Sequence, residues 1–437
     1  MRALSLGGVA VASSDNSPST RPRVLVLGGG FAGVGAAKAL GDADADVVLV
    51  DRHDYHTFQP LLYQLATGLL ETTAVGHSLR DLVGGQENTT VHQAAVTAVD
   101  LDAREARFDG LDPIAYDYLV FSLGAEVTFF GTEGAAEHAF PMYTLPHAVR
   151  LKDHLLERWE AGDRDPGLRG DGALNVVVVG GGPTGVETAG ALAELYRANF
   201  AHDYPSVLDE ESRVILVEAG PELFSMFKDD IRAYTEKALA KRTVEVMVGQ
   251  IVASVSPTRV TLKSGTVLQA HTLVWGAGLR GNQLVRSLGL ELQRGDRIGV
   301  GPDLSVQDHP DVYALGDIAA ITDEDGVLPQ LGSVALQSGE HAGETIARRL
   351  AGKQPKPFEY KDKGTMATIG RGAAVVQFRR GRTLKGKAAQ LAWGTVHLAL
   401  LPTNEDRAKA VVNWAGAGLT HQRSGRITVG AEAEREQ

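Results

Sequence analysis

The sequence predicts an α/β fold made of two similar units, each with a parallel sheet, followed by a different C-terminal segment. An apolar run, a triple glycine, an alanine-rich stretch and a second apolar run follow one another twice, first from Arg23 and again from Asn175. Strands that alternate with helices favour right-handed βαβ crossovers and a parallel sheet. The length of 437 residues is enough for two or three domains of about 150 residues each.

The first unit begins with residues 23–27, a continuous apolar run that is typical of a buried parallel strand. The three glycines at 28–30 predict a tight turn, and the residues from 31 to 40 predict a helix. The next apolar run, 47–50, predicts a second strand that ends at Asp51.

The second unit repeats this plan in the same order. We expect a strand over 175–179, a glycine turn over 180–182 and a helix over 185–198. A further strand over 213–217 ends at Glu218. The repeat indicates two units of one fold class rather than one large sheet.

Four further segments complete the expected organisation. Alternating residues over 89–101 predict small antiparallel sheets, and apolar runs at 118–122 and 272–275 predict late strands. The stretch 157–172, which is rich in glycine and proline, predicts a connection between domains. The run Gln-Pro-Lys-Pro at 354–357 indicates a second boundary.

Composition excludes several classes of function. Hydrophobic residues make up 43% and charged residues 22% of the chain, which is typical of a globular protein. A net charge of −11 argues against nucleic acid as a partner. The absence of cysteine excludes disulfides, thiolate metal sites, iron–sulfur clusters and redox cysteine pairs. We predict no metal site, no targeting peptide and no membrane-spanning segment.

The first triple glycine belongs to the pattern Gly28-x-Gly30-x-x-Gly33. The first glycine permits the turn, the second lets the backbone reach a pyrophosphate, and the third lets the helix pack close to the strand. Asp51 follows Gly30 after about 20 positions, where an acidic side chain accepts hydrogen bonds from an adenosine ribose. Taken alone, this pattern could also be a structural glycine turn.

The second triple glycine forms the same pattern, Gly180-x-Gly182-x-x-Gly185, with Glu218 as the acidic residue. Two matches in one chain predict two Rossmann-like dinucleotide-binding domains, one for FAD and one for NAD. No basic residue follows Glu218 directly, which favours NADH over NADPH. Arg213 is near in sequence and leaves that preference open.

A third pattern supports the flavin. The apolar run 312–315 ends in Gly316-Asp317, which can place the Asp317 carboxylate against a sugar-alcohol hydroxyl beside a pyrophosphate. The alternative is that Asp317 caps the N-terminus of a helix.

Together these patterns resemble the type II NADH:quinone oxidoreductases, a group of two-dinucleotide-binding flavoproteins. The resemblance runs from about Pro22 to about Arg426. Its most specific pieces are Phe-Gln-Pro-Leu-Leu-Tyr-Gln-Leu-Ala at 58–66, Gly-Gly-Pro-Thr-Gly-Val-Glu at 181–187, Trp-Gly-Ala-Gly at 275–278, Phe-x-Tyr-x-Asp-x-Gly-x-Met-Ala at 358–367 and Trp-x-x-x-His-x-x-x-Leu at 393–401.

The resemblance implies a set of cofactor-binding residues. FAD would be held by Gly28, Gly30, Gly33, Asp51 and Asp317, with the loop of Gln59, Pro60 and Leu61 near the isoalloxazine ring, and NADH by Gly182, Gly185 and Glu218. The other implied cofactor-binding positions are Phe31, Ala32, Arg52, Gly124, Pro183, Thr184, Gly278 and Gly316.

Two residues are implied in catalysis. Glu187 would lie where the nicotinamide and the quinone approach the flavin, and Gln337 would line the quinone tunnel. The alternative for Glu187 is a first-turn acid that stabilises a helix N-terminus. The family usually has two glutamines here: Ser333 replaces the first, and Gln337 is the second. The shorter serine hydroxyl reaches the same carbonyl of the quinone ring only through a water.

The C-terminal segment predicts an amphipathic, membrane-associating region. No acidic residue occurs between Thr365 and Asn404, and apolar residues near Trp393 and Trp414 accompany the basic ones. Such a segment is typical of an anchor on an anionic lipid surface. The basic residues of the segment are Arg371, Arg379, Arg380, Arg382, Lys385 and Lys387. The alternative is a helix packed on the protein itself or on a second subunit.

We therefore expect a flexible tail over 1–21, an FAD domain over 22–150 and 280–350, an NADH domain over 151–279, and an interface or membrane segment over 355–437. The resemblance implies a peripheral enzyme on the cytoplasmic face of the cell membrane that passes hydride from NADH to flavin and two electrons to a menaquinone or ubiquinone, without proton pumping. It also implies a homodimer, although no self-complementary surface can be read from the sequence.

Three alternatives stay open at this point. One is a soluble cytoplasmic NAD(P)H-dependent flavoprotein reductase with a protein or small-molecule acceptor. Another is a non-catalytic flavoprotein that responds to NADH. The last is an α/β protein that has kept the fold and lost the cofactor.

Overall fold

The computed structural model describes residues 21–208, 211–379, 381–420, 423 and 425–428. The expected tail over 1–21 therefore lies outside the described residues, apart from Arg21. Twelve principal strands and eight principal helices carry the two units and the C-terminal part. The strands are β1 (Arg23–Leu27), β2 (Asp46–Asp51), β3 (Thr89–Gln93), β4 (Tyr118–Phe121), β5 (Val176–Val179), β6 (Val214–Val217), β7 (Val244–Met247), β8 (Thr272–Trp275), β9 (His309–Ala314), β10 (Thr365–Gly370), β11 (Ala373–Gln377) and β12 (Thr383–Lys385). The helices are α1 (Phe31–Ala39), α2 (Leu62–Ala66), α3 (Leu145–Arg164), α4 (Pro183–Leu195), α5 (Asp229–Ala240), α6 (Gly332–Leu350), α7 (Lys387–Leu400) and α8 (Asn404–Thr420).

The first unit is a parallel sheet in the order β9-β4-β1-β2-β3, with the short strand Ser305–Val306 antiparallel at one edge. Its central strands β4, β1 and β2 contain continuous apolar runs because both faces are covered there, and β1 is buried along almost its whole length. Helices α1 and α6 pack against each other closely enough that a Cβ on Gly339 would lie 2.1 Å from the carbonyl oxygen of Ala32. Strand β9 therefore belongs to the first sheet, although it follows the whole second unit in the sequence.

The second unit is a parallel sheet in the order β8-β5-β6-β7, extended by the short strand Phe140–Pro141. Its core is continuous with α2 and with the C-terminal sheet β10-β11-β12. A Cβ on Gly190 of α4 would lie 2.1 Å from the carbonyl oxygen of Ile369 on β10, so this close approach requires glycine. The α/β class and the repeated plan are confirmed.

Small antiparallel sheets cover the two units. They are Ala95–Asp100 with Glu105–Asp109 and Ile114–Ala115; Val252–Ser256 with Arg259–Leu262 and Val267–Gln269; Tyr55–Thr57 with Gly76–Ser78; Ala125–Val127 with Leu279–Gly281; and Thr322–Asp323 with Gly326–Val327. A small mixed sheet pairs Arg297–Gly299 antiparallel with Leu292–Gln293 and parallel with Ala319–Ala320. Shorter helices occupy Leu79–Val83, Ala135–His138, Pro166–Gly170 and Ala201–Asp203, and a π-helical turn at Tyr196–Phe200 continues α4.

Two sequence-based expectations were wrong. Residues 89–93 do not form an antiparallel strand but pair in parallel with β2, and only 95–100 enters a small antiparallel sheet. Residues 157–164 are not a connection, because α3 continues to Arg164. Gly162 lies on this helix, where a Cβ would come within 2.9 Å of the Leu174 side chain, so it allows close packing rather than breaking the helix.

The C-terminal part ends in two helices, α7 and α8, connected by a short turn. Helix α7 packs on β11 of the C-terminal sheet, and α8 contacts α7 and the segment Thr72–Ala74 of the first unit. Within the described part of the chain, none of the helices is long and apolar enough to cross a lipid bilayer.

Candidate functional site

The first glycine turn and the beginning of α4, the helix that follows the second glycine turn, line one cavity of about 1330 Å³. The β1–α1 turn contributes residues 28–32 to its wall, and the first turns of α4 contribute Pro183, Thr184 and Glu187. Groups held by the two units can therefore meet in one space. Two separate cavities that faced apart would have excluded a reaction between two bound dinucleotides.

The first glycine turn has the geometry that a dinucleotide requires. Gly28 has φ +105°, which favours glycine, and a Cβ on Gly33 would lie 1.8 Å from the Gly28 carbonyl oxygen. A Cβ on Gly30 would meet nothing within 4 Å, so open space lies in front of the N-terminus of α1. Gly30 is the N-cap of that helix and supplies no side chain to its free N–H groups, which makes them available to a phosphate.

The acidic residue after β2 stabilises this turn. Asp51 accepts a hydrogen bond from the Gly29 N–H at 2.6 Å and another from the His53 N–H at 2.8 Å. Its carboxylate thus lies between the glycine turn and the loop that follows the strand. Arg52 lines the same part of the cavity. The position is the one expected for contact with an adenosine ribose.

The second glycine turn repeats these contacts. Gly180 has φ +114°, a Cβ on Gly185 would lie 1.8 Å from the Gly180 carbonyl oxygen, and a Cβ on Gly182 would meet nothing within 4 Å. Glu218 accepts hydrogen bonds from the N–H groups of Gly181 and Gly220, both at 2.5 Å. The two turns are therefore alike in backbone geometry and in the way that an acidic side chain supports them.

Arg213 does not approach this site. It precedes β6, whereas Glu218 follows that strand, so the two side chains belong to opposite ends of the sheet. The Arg213 guanidinium forms two hydrogen bonds to Glu245, at 2.6 and 2.5 Å. This basic group is therefore not placed to receive a 2′-phosphate near Glu218.

Asp317 lies in the cavity wall between the two units. Its carboxylate accepts a hydrogen bond from the Tyr143 hydroxyl at 3.3 Å, and burial raises the pKa of Asp317. Tyr143 also accepts a hydrogen bond from the Ala125 N–H at 3.1 Å, directly after Gly124. Asp317 does not cap the short helical turn Gly316–Ile318, so the alternative of a helix cap was wrong. Tyr143 was not singled out from the sequence, because an isolated tyrosine gives no motif.

Glu187 is partly buried, and its side chain lines the cavity. Its Oε1 accepts a hydrogen bond from the main-chain N–H of Thr368 at 3.0 Å. Burial raises the pKa of Glu187 to about 8, although the hydrogen bonds from Thr368 act in the opposite direction. The carboxyl is therefore mainly protonated at neutral pH. It lies beyond the first turn of α4, so the alternative of a first-turn acid at a helix N-terminus was wrong.

A chain of hydrogen bonds connects this carboxyl to the C-terminal helices. The Thr368 hydroxyl shares a hydrogen bond of 2.8 Å with the Tyr63 hydroxyl, which also accepts one from the Gln64 amide at 2.9 Å. The Gln64 carbonyl accepts a hydrogen bond from the Trp414 indole at 2.7 Å. Tyr63 and Gln64 are buried, so the orientation of this network is set by protein groups rather than by solvent.

Gln337 and Ser333 line the cavity on α6, but their polar groups have protein partners. The Gln337 amide donates to the Lys361 carbonyl at 3.2 Å and accepts from the Lys361 N–H at 3.0 Å. The Ser333 hydroxyl shares a hydrogen bond of 2.8 Å with the Tyr360 hydroxyl. A substrate that contacts the Gln337 amide must therefore compete with the main chain at Lys361.

Trp393, in the segment expected to associate with a membrane, packs inside the protein. Its ring is 4% exposed and stacks on His397 with a centroid distance of 3.9 Å. The outward apolar side chains are different ones, above all Leu391 (75% exposed) and Val412 (67% exposed). Indole rings pack inward here because stacking and hydrogen bonding are available within the protein.

The basic residues of the C-terminal segment differ in their surroundings. Lys385 pairs with Asp230 at 2.8 Å, whereas Arg379, Arg382 and Lys387 are exposed. Arg380 lies outside the described residues. The exposed basic and apolar side chains of this segment occur close together along the chain.

Most of the residues singled out from the sequence meet at the cavity. Those in its wall are Gly28, Gly30, Phe31, Ala32, Asp51, Arg52, Gln59, Pro60, Gly124, Pro183, Thr184, Glu187, Gly316, Asp317 and Gln337. Gly33, Gly182, Gly185 and Glu218 belong to the supporting turns, and Leu61 is fully buried beneath the wall. Gly278 has φ +70° and packs against Phe130 outside the wall.

Comparisons with known proteins agree with this geometry. Residues 22–339 match the family model of pyridine nucleotide-disulphide oxidoreductases. The chain is 34% identical to the type II NADH:quinone oxidoreductase Ndh of Mycobacterium tuberculosis over 428 residues, covering 94% of this chain and 91% of that protein. It is 32% identical to the mitochondrial internal alternative NAD(P)H-ubiquinone oxidoreductase A1 of Arabidopsis thaliana, covering 90% and 83%.

Solved structures show the same fold at lower identity. The NDH2 structure from Plasmodium falciparum in complex with NADH matches with a TM-score of 0.85 at 19% identity, covering 94% of this chain and all of that one. The sulfide:quinone oxidoreductase of Aquifex aeolicus matches with a TM-score of 0.71 at 19% identity, covering 92% and 96%.

Proposed function

Because the chain belongs to the type II NADH:quinone oxidoreductases, within the pyridine nucleotide-disulphide oxidoreductase family, we propose that it transfers electrons from NADH through FAD to a quinone. The cavity that is lined by both the first glycine turn and the beginning of α4 supports this proposal. The disulphide chemistry in the family's name does not apply, since the chain contains no cysteine. The proposal includes no proton pumping, as the family resemblance implies.

The first unit fits FAD. The open space before Gly30 and the free N–H groups of α1 suit a pyrophosphate, and Asp51 suits the adenosine ribose. The partly buried Asp317 suits the hydroxyl-bearing chain of the flavin. Gln59 and Pro60 line the wall where the ring would lie. When bound, FAD would supply the two-electron chemistry that links a nicotinamide to a quinone.

The second unit fits NADH. Gly182 and Gly185 leave the N-terminus of α4 open to a pyrophosphate, and Glu218 suits the hydroxyls of the adenosine ribose. A carboxylate at this position repels a 2′-phosphate, and Arg213 is engaged by Glu245. We therefore propose that the chain prefers NADH to NADPH.

Glu187 is the side chain best placed to hold a proton in the cavity. Because its carboxyl is protonated at neutral pH, it can donate that proton to a quinone oxygen as the quinone is reduced. The Thr368 N–H holds one carboxyl oxygen in place and stabilises the carboxylate that remains. Gln337 would contact the quinone only after release from Lys361.

The C-terminal helices support a location on an anionic membrane surface. Leu391 and Val412 are exposed apolar side chains, and Arg379, Arg382 and Lys387 are exposed basic ones. We propose that this surface binds lipid at the cytoplasmic face of the cell membrane, and that a homodimer is the assembly. A second subunit covering the same surface is the competing arrangement.

Steady-state oxidation of NADH tests the proposal most simply. The FAD-loaded protein is supplied with a short-chain quinone, with and without anionic vesicles, and NADPH replaces NADH in a parallel series. We expect quinone-dependent turnover with NADH, slower turnover with NADPH, and sedimentation with the vesicles. Flavin reduction without quinone turnover would instead support a reductase with another acceptor or a non-catalytic flavoprotein.

A further inference from the structure

His397 is a buried, polar side chain in the wall of the cavity with one ring nitrogen that has no hydrogen-bond partner among the described residues. The residue is 8% exposed and lies on α7, which forms part of the cavity wall. Its Nδ1 lies 2.8 Å from the Trp393 carbonyl oxygen. No protein group meets Nε2 within the described part of the chain, so this atom is left for a ligand.

The tautomer of this ring follows from its one partner. A carbonyl oxygen only accepts hydrogen bonds, so Nδ1 carries the proton and Nε2 carries a lone pair. Burial lowers the pKa of His397 to about 4, and the ring is therefore neutral at physiological pH. Nε2 can accept a hydrogen bond but has no proton to donate.

Neighbouring rings fix the direction of this lone pair. The imidazole stacks on Trp393 at 3.9 Å and meets the edge of Phe58 at 6.3 Å. Phe58 is fully buried and directly precedes Gln59 of the expected flavin loop. The nearby wall is mainly apolar, with Met366, Val376, Ala392, Val396 and Leu400. An acceptor held rigidly in such a wall selects a ligand that carries a donor.

The oxidised and reduced forms of a quinone differ in whether they can donate a hydrogen bond. The oxygens of a quinone only accept hydrogen bonds, whereas the hydroxyls of a quinol also donate them. We propose that Nε2 of His397 accepts a hydrogen bond from a hydroxyl of the quinol, and so binds the reduced product more tightly than the oxidised substrate. This inference rests on the proposed quinone reductase function and assigns a new contact within that site.

Anaerobic equilibrium dialysis on the FAD-loaded protein measures the binding of a short-chain benzoquinol and of the matching benzoquinone. A second experiment measures product inhibition by the quinol during NADH oxidation. His397→Phe keeps an aromatic ring and removes Nε2. We expect about tenfold weaker quinol binding and inhibition, the effect of one lost hydrogen bond in a dry site, with quinone binding changed less than about twofold.

His397→Gln supplies an acceptor oxygen near the position of Nε2 and should restore most of the quinol affinity. The dimethyl ether of the same quinol, which has no donor, should bind the wild type about tenfold more weakly than the quinol does. This ligand comparison needs no variant and therefore stands even if His397→Phe does not fold. His341→Phe is the matched control, since His341 donates to the Lys356 carbonyl outside the cavity wall.

Equal loss of quinone and quinol affinity in His397→Phe, or an ether that binds the wild type as tightly as the quinol, would overturn the inference. Failure of the proposed function looks different, because the wild type itself would then show no turnover with quinone. The rate at which NADH reduces the bound flavin should not change in His397→Phe, since the contact concerns the product.

Discussion

The main-chain N–H of Thr368 donates a hydrogen bond of 3.0 Å to the Glu187 carboxyl, 181 positions earlier in the chain. This contact joins β10 of the C-terminal sheet to α4 of the second unit and holds a partly buried carboxyl at the cavity wall. The C-terminal part of the chain therefore completes the candidate active site rather than only adding a surface.

Replacing Glu187 with glutamine tests its role as a proton donor. We expect turnover with quinone to fall by about 100-fold or more, the size typical of a lost general acid, while NADH still reduces the bound flavin. Stopped-flow absorbance under anaerobic conditions measures the two half-reactions separately: reduction of the flavin by NADH and its reoxidation by quinone. Equal slowing of both half-reactions would show that Glu187 acts on nicotinamide binding instead.

The pH dependence follows from the raised pKa of Glu187. Because the pKa is about 8, the proton is present below that pH and is lost as the pH rises through it. Turnover with quinone should therefore decline above pH 8 in the wild type, and this step should be absent in Glu187→Gln. Between pH 4.5, the ordinary pKa of a glutamate, and pH 8, the folded state holds a proton that the unfolded chain releases. The free energy of unfolding should therefore decrease over this range in the wild type and less in the variant.

Alanine at two glycines of the first turn should give opposite results. Gly33→Ala places a Cβ 1.8 Å from the Gly28 carbonyl oxygen, so we expect a large loss of stability. Gly30→Ala meets nothing within 4 Å and has an ordinary φ of −73°, so the chain should fold normally. Its Cβ enters the space expected for the pyrophosphate, and FAD affinity should fall about tenfold or more. Retention of FAD by Gly30→Ala at normal affinity would contradict the assigned site.

Introducing negative charge at exposed positions of α7 and α8 tests the proposal that these helices bind an anionic membrane surface. The double variant Leu391→Glu/Val412→Glu should bind anionic vesicles at least about tenfold more weakly, because two exposed apolar side chains no longer enter the lipid. Val267→Glu/Val327→Glu changes two exposed apolar residues elsewhere and serves as the control. Equal vesicle binding by both variants, measured by sedimentation, would remove the support for this surface.

The contact between Trp414 and Gln64 should stabilise the docking of α8. Trp414→Phe keeps an aromatic ring but leaves the buried Gln64 carbonyl without its donor, so we expect a loss of about 1–2 kcal/mol in the free energy of unfolding. A double-mutant cycle with Gln64→Leu should show a coupling of about 1 kcal/mol. Additive effects in chemical denaturation would show that the two side chains do not interact.

The two glycine turns could be predicted from the sequence because the pattern that forms them is local. The apolar strand, the three glycines and the acidic residue after the next strand lie within residues 23–51 in the first unit and 175–218 in the second. The structure confirms both turns, with the acidic side chains of Asp51 and Glu218 bonded to their backbones.

Other parts of the site depend on contacts between distant positions, which a single sequence does not reveal. Thr368 meets Glu187, and Tyr143 meets Asp317, only because the C-terminal sheet and the loop before α3 pack against the two units. Trp393 belongs to the segment that the sequence predicts to associate with a membrane, yet it stacks on His397 inside the protein. Gly162 looked like a chain break, yet it provides space for Leu174 on a continuous helix.

Anaerobic titration of the FAD-loaded protein with NADH, followed by a short-chain quinone, tests the central claim most directly. The account predicts that about one equivalent of NADH bleaches the flavin absorbance and that about one equivalent of quinone restores it, since both electron pairs pass through one cavity. A flavin that stays oxidised with NADH, or one that NADH reduces but quinone leaves bleached, would contradict it.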